Sequence, residues 1–193
     1  MIIAFTGAGI SKESGIPTFE EMDKDLKDNE LGIRDKLTRS WAIQNPEEYK
    51  KTIDDMVKSF ENAEPNDAHK ALAEYKIPIM TMNIDGLHQK AGSEHVINMH
   101  GQLPDIVLYE DPAPNYQLAM DWVDKLRPGD IFFIIGTSFY TTISSTLKIM
   151  AQSTGARVFV LNKDAGTYVR AFIENNKDKL GDFEEFMARE IEY

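Results

Sequence analysis

Five short runs rich in Ile and Val recur along the chain, and the segments between them carry apolar residues at helical spacing. Gly, Pro, Asn or Asp bound these runs, which is typical of buried strands; they are residues 2–6, 77–82, 96–99, 131–135 and 158–161. Strands that alternate with helices predict an α/β fold, in which a parallel sheet is covered by helices on both faces.

The connection between the first two runs is unusually long. It spans about seventy residues, whereas one crossover helix needs far fewer. Asn45, Pro46 and the acidic residues that follow form a helix start signal within it. We therefore expect residues 20–64 to form a small helical lobe, inserted into one domain whose larger part comprises residues 1–19 and 65–193.

Composition excludes several classes of protein. The 193 residues suit a single domain, and 21 Lys and Arg against 32 Asp and Glu give a net charge of −11. That charge argues against binding to nucleic acid or to an anionic membrane. The absence of cysteine removes disulfides, thiol nucleophiles and cysteine-ligated metals. No apolar run approaches the ~20 residues of a membrane helix and residues 1–7 lack a basic leader, so we expect a cytoplasmic protein.

Polar and small residues follow each of the five runs. They begin at Gly7, Asn83, His100, Gly136 and Asn162. Ligands bind at the carboxyl ends of strands in open parallel sheets, so this arrangement predicts a cleft along one sheet edge. A glycine pair after a strand also lets the backbone approach a phosphate. The full dinucleotide fingerprint would need a third glycine, so for the first turn alone an ordinary strand-to-helix turn remains an alternative.

In combination, these motifs resemble those of the sirtuin family. Residues 7–11 with 13–19, then 83–88 with 91–92, 100–101 and 136–138, follow the family's order. The resemblance implies a Rossmann-like larger part that binds NAD, as a co-substrate, in the cleft beside the inserted lobe. It also implies that the nicotinamide–ribose bond of NAD is broken and that the acyl group of an acylated lysine is passed to ADP-ribose.

The resemblance further implies roles for individual residues. His100 would be the general base, Asn83 would orient the ribose and a water, and Asp85 with Ile84 would hold the nicotinamide carboxamide. The remaining NAD-binding positions would be Gly7, Ala8, Gly9, Ser11, Pro17, Phe19, Gly136, Thr137, Ser138, Asn162 and Asp164. Val107, Leu108 and Tyr109 resemble the segment that pairs with the substrate backbone as an added strand.

Several positions depart from the family pattern. The zinc ribbon of four cysteines that normally follows the His-Gly pair is missing, so this variant is expected to bind no metal. Glu20 replaces an arginine, Met82 a glutamine, Glu110 a glycine and Ile143 a proline. These changes weaken the expectation of a peptide substrate. ADP-ribosyl transfer to another acceptor, NAD hydrolysis and a non-catalytic NAD-binding module therefore stay open, as does the oligomeric state.

Overall fold

The computed structural model describes residues 1–24, 30–139 and 141–191. Its seven strands, in chain order, are β1 (Ile2–Thr6), β2 (Ile79–Thr81), β3 (Val96–Asn98), β4 (Gly101–Gln102), β5 (Asp105–Ile106), β6 (Ile131–Ile135) and β7 (Arg157–Leu161). Five of them form a parallel sheet in the order β3-β2-β1-β6-β7, and β4 pairs with β5 as a separate antiparallel hairpin. The predicted parallel sheet is confirmed.

Helices fill most of the connections between the strands. They are α1 (Phe19–Asp23), α2 (Ile33–Lys36), α3 (Arg39–Gln44), α4 (Pro46–Phe60), α5 (Asp67–Glu74), α6 (Leu87–Lys90), α7 (Asn115–Asp124), α8 (Thr142–Ser153), α9 (Ala165–Glu174) and α10 (Phe183–Met187). Two 3₁₀ segments span Ala8–Ser14 and Lys177–Lys179. Within the described residues, none of the helices is both long and apolar enough to cross a membrane.

The central strands are buried on both faces, which explains their continuous apolar sequence. Along β1, Ile3 and Phe5 point into a core with α7, α8 and α10, whereas Ile2 and Ala4 point into a second core with α5 and α9. This alternation follows from the two-residue period of a strand. It fixes the register of β1. Because all five strands of the sheet are parallel, the turns that follow them emerge at the same edge.

The helices between β1 and α5 gather around a third, smaller core. Leu37, Ile53 and Met56 from α2 to α4 pack there with Ile84 and Leu108, which lie outside these helices. The predicted start of α4 is confirmed, because Pro46 is its first residue. Residues 25–29 of the predicted lobe lie outside the described residues.

Two of the predicted strands are shorter in the structure. β2 covers only residues 79–81 of the run 77–82, and β3 ends at Asn98. Proline cannot donate to a strand ladder, and Pro78 joins β1 only through its carbonyl, which accepts from the Ala4 N–H at 2.9 Å. The sheet pairing therefore begins after Pro78.

Candidate active site

A cavity of about 650 Å³ opens at the carboxyl ends of the parallel strands. Its volume is that of a site for a sizeable small molecule. The predicted site residues that line it are Ala8, Gly9, Ser11, Pro17, Phe19, Asn83, Ile84, Asp85, His100, Tyr109, Gly136, Thr137, Ser138 and Asn162. Gly7 and Asp164 do not line it: Gly7 packs against Thr137, and Asp164 lies at the N-terminus of α9.

The glycines after β1 and β6 allow two turns to pack in direct backbone contact. The Gly9 N–H donates to the Gly136 carbonyl at 2.8 Å, and a Cβ on Gly9 would lie 2.7 Å from the Gly136 Cα. Gly136 has a φ of +67°, and its Cβ would lie 2.3 Å from the Ile10 nitrogen. The missing side chains are therefore required by contact between backbones, a reason separate from the phosphate approach that the sequence pattern suggested.

Ser11, Asn83 and Asp85 form one hydrogen-bonded group in the cavity. The Ser11 hydroxyl donates to Asp85 Oδ2 at 2.7 Å, and the Asn83 side-chain amide donates to Ser11 Oγ at 3.0 Å. The other oxygen of Asp85 accepts from the Leu87 N–H at 2.9 Å. The turns after β1 and β2 thus hold a carboxylate and an amide in fixed positions.

Two buried histidines lie against this group. His69 and His88 are 0% and 1% exposed, and their ring centroids are 4.8 Å apart. His69 Nε2 lies 3.5 Å from Ser11 Oγ, and His88 Nε2 lies 2.9 Å from the Thr6 hydroxyl. The single Ser11 proton already goes to Asp85, so His69 must donate from Nε2. No sequence spacing indicated this contact, because it joins α5 to the turn after β1.

Burial controls the protonation of this histidine pair. It lowers the pKa of His69 to about 4, although the negative charge of Asp85 acts in the opposite direction. It also lowers the pKa of His88 well below 6.5, and the neighbouring His69 lowers that pKa further. Neither Nδ1 has a hydrogen-bond partner among the described residues. Both rings are therefore neutral at pH 7.

Acid should destabilise the fold through these rings. Between pH 6.5 and about 4 the unfolded chain binds a proton at His69 that the folded chain rejects, so stability falls as the pH drops through this window. We expect a loss of about 3 kcal/mol from His69. Urea unfolding from pH 7.5 to 4 measures how the free energy of unfolding varies with pH. In His69→Gln, the slope should correspond to about one proton fewer taken up on unfolding than in the wild type. An unchanged slope would contradict this, and His95→Gln, at a half-buried ring stacked on Phe183, is the matched control.

His100 lies where the large cavity meets a second one of about 190 Å³. The residue follows β3 and precedes Gly101, whose φ of +72° turns the chain into the β4–β5 hairpin. Burial lowers the pKa of its imidazole, so the ring is a neutral base at pH 7. In the hairpin, Gln102 pairs with Asp105. The hairpin lies just after the His100–Gly101 pair, where the four-cysteine ribbon of the family would begin.

The second cavity is lined by all three predicted substrate-contact residues, Val107, Leu108 and Tyr109, together with His100 and apolar side chains. Their main chain is partly occupied within the protein. The Val107 N–H donates to the His100 carbonyl, and the Tyr109 N–H donates to the Leu37 carbonyl, both at 2.9 Å. A substrate strand would therefore meet a segment that is already anchored on both sides.

Glu110 adopts the conformation that a glycine would take at its position. Its φ is +77°, which is unfavourable for a residue with a Cβ. Its carboxylate accepts from the Ser40 N–H at 2.8 Å and from the Ser40 hydroxyl at 2.9 Å. Next to it, Asp111 accepts two hydrogen bonds from Arg39, at 2.8 and 2.6 Å. These contacts hold the unfavourable turn in place against α3.

The structure gives no indication of a metal centre in the part of the chain that it describes. Across residues 1–24, 30–139 and 141–191, no group of three or more His, Asp or Glu side chains is placed to bind a metal ion. His95 stacks on Phe183 and His100 faces the cavities, so these two rings have separate surroundings.

The sequence is similar to that of a known protein family and to that of a bacterial protein. The model of the Sir2 family matches residues 7–105. An "NAD-dependent protein deacetylase" of Bacillus cereus (strain ATCC 10987 / NRS 248) is 31% identical, over 97% of this chain and 92% of that protein.

Solved structures share the fold. The crystal structure of a Sir2 homologue with NAD has a TM-score of 0.81 at 23% identity, covering 93% of this chain and 90% of that one. A Sir2 structure with an inhibitor, 2'-O-acetyl-ADP-ribose and a deacetylated p53 peptide has a TM-score of 0.75 at 21% identity, covering 92% and 94%.

Proposed function

Because the chain belongs to the Sir2 family, the sirtuins, we propose that it is an NAD-dependent protein-lysine deacetylase. One observation carries this proposal. The Ser11–Asn83–Asp85 group and His100 line the same cavity, and that cavity meets a second one beside His100. One cavity suits NAD, and the other suits the acylated side chain of a lysine in a protein or peptide.

The larger cavity fits NAD in size and in donor groups. A chain with a net charge of −11 must hold two phosphates through main-chain N–H groups and hydroxyls rather than through a basic patch. The turns after β1 and β6 bring such groups to the cavity wall at Ala8, Thr137 and Ser138. The Gly9 and Gly136 N–H groups and the Ser11 proton are already bonded within the protein. The buried Thr137 hydroxyl, which has no partner among the described residues, is one more polar group at this rim.

The reaction consumes NAD, an acylated lysine and water. Asp85 holds the carboxamide of nicotinamide, which departs as positive charge builds on the ribose. The net negative charge of the chain favours that positive charge. The acyl oxygen attacks the ribose carbon that nicotinamide has left. His100 then takes a proton from a ribose hydroxyl, which attacks the acyl carbon. Water completes the release of the free lysine and of acylated ADP-ribose. We propose that no metal takes part, since the chain has no cysteine to ligate zinc.

Product analysis tests this proposal. With NAD and an acetyl-lysine peptide, we expect equal amounts of nicotinamide, free-lysine peptide and acetyl-ADP-ribose, and no effect of a zinc chelator. Free ADP-ribose formed without peptide would indicate NAD hydrolysis instead, and an ADP-ribose mass added to a protein would indicate ADP-ribosyl transfer. A rise in melting temperature with NAD but no nicotinamide would indicate a binding module.

A further inference from the structure

We propose that Tyr116 is a positioning residue for His100, holding the imidazole at the junction of the two cavities with Nε2 as its basic nitrogen. The inference rests on the proposed function for its catalytic meaning. Its physical content, a contact between two side chains, can be measured in the protein alone.

The contact has two components. The Tyr116 hydroxyl lies 3.4 Å from His100 Nε2, and the two rings meet edge to face with centroids 5.6 Å apart. Among the described residues, Tyr116 is the one hydrogen-bond partner of the His100 ring. Tyr116 also lines the second cavity, so its hydroxyl lies on the side where the acylated lysine would enter.

The fold places Tyr116 firmly. Tyr116 lies in the first turn of α7, and the preceding residue, Asn115, donates from its side chain to the Asn98 carbonyl at 2.7 Å. Asn98 ends β3, two residues before His100. The helix that carries the tyrosine is therefore bonded directly to the end of the strand that precedes the histidine.

Chemistry sets the direction of the hydrogen bond. Burial raises the pKa of Tyr116, so its phenol keeps its proton and can donate. When the hydroxyl donates to Nε2, the proton of the neutral imidazole lies on Nδ1 and the lone pair on Nε2. This bond favours the neutral ring, because a protonated Nε2 could not accept it.

Charged neighbours do not account for the state of His100. The ionisable groups that share its two cavities are Lys12, Glu20, Glu21, Lys24, Arg34, Asp85, Tyr109, Glu110, Asp111 and Tyr116. Burial, and none of these charges, is what lowers the pKa of His100. The effect of removing the Tyr116 hydroxyl on the pKa of His100 should therefore be measurable without interference from neighbouring charges.

The test is Tyr116→Phe, which keeps the ring contact and removes the hydroxyl. NMR titration of the His100 ring protons without NAD, assigned with His100→Gln, should show a pKa about 0.5 unit higher, since a long hydrogen bond contributes at the low end of the usual range. The acid limb of kcat/KM should move by the same amount, lowering kcat/KM there about threefold with KM for NAD unchanged. Tyr168→Phe, on the exposed face of α9, is the matched control and should change neither.

An unchanged His100 pKa in Tyr116→Phe would overturn the inference. So would an equal shift in Tyr168→Phe, because the effect would then not depend on the contact. If the pKa moves while even the wild-type protein forms no acetyl-ADP-ribose, the contact is supported and the proposed function fails. The two claims are thus separated by one set of samples.

Discussion

His100→Gln should lower acetyl-ADP-ribose formation about 10³-fold, in the middle of the range for loss of a general base. Glutamine fills much of the same space but cannot accept a proton at neutral pH. In the proposed sequence His100 acts after nicotinamide has left, so nicotinamide exchange and NAD binding should persist. Rapid-quench product analysis, with calorimetry of NAD binding, separates the two steps.

The matched control for this variant is His95→Gln, because His95 stacks on Phe183 outside both cavities. It should retain wild-type turnover. Residual activity of His100→Gln within tenfold of wild type would remove His100 from the role of base. The lowered pKa of His100 also predicts that the acid limb of wild-type activity lies below pH 6.5, since the ring must protonate before the base is lost.

Gly136→Ala should destabilise the protein by about 4 kcal/mol and abolish NAD binding. A side chain at a φ of +67° costs about 1–2 kcal/mol, and forced overpacking adds about 1–3. The new Cβ would lie 2.3 Å from the Ile10 nitrogen, and a backbone atom cannot rotate away as a side chain can. Relief would require the turns after β1 and β6 to separate. Urea unfolding and NAD calorimetry measure the two effects.

Gly129→Ala isolates the conformational cost in the same experiment. Gly129 has a φ of +96°, but a Cβ there would meet nothing within 4 Å. We therefore expect a loss of about 1 kcal/mol and normal NAD binding. Equal losses in the two variants would show that the contact between the turns contributes nothing.

The strands could be predicted because a strand that is buried on both faces has a continuous run of apolar residues in the sequence. β1 and β6 match their apolar runs from end to end, since all their residues must be buried. β2 was predicted too long because Ile77 is equally apolar and buried, yet it precedes Pro78, whose missing N–H delays the pairing. Apolar character records burial, whereas strand length also depends on hydrogen-bond donors.

Contacts between residues far apart in the chain could not be predicted from such a pattern. His69 touches Ser11 only because α5 lies against the turn after β1, and Tyr116 meets His100 only because Asn115 ties α7 to β3. Glu110 looks like an unfavourable replacement of glycine until Ser40 is placed beside its carboxylate. A pattern read along one segment cannot include a partner that folding brings from elsewhere.

The small core shared by Leu37, Ile84 and Leu108 has a consequence for chimaera design. Ile84 lies between Asn83 and Asp85, so the same tripeptide faces the cavity and packs against the helices between β1 and α5. Grafting those helices from a relative would leave Ile84 and Leu108 against foreign surfaces, and Asn83 and Asp85 would shift with them. A working hybrid must therefore carry residues 84 and 108 from the same donor as residues 30–60.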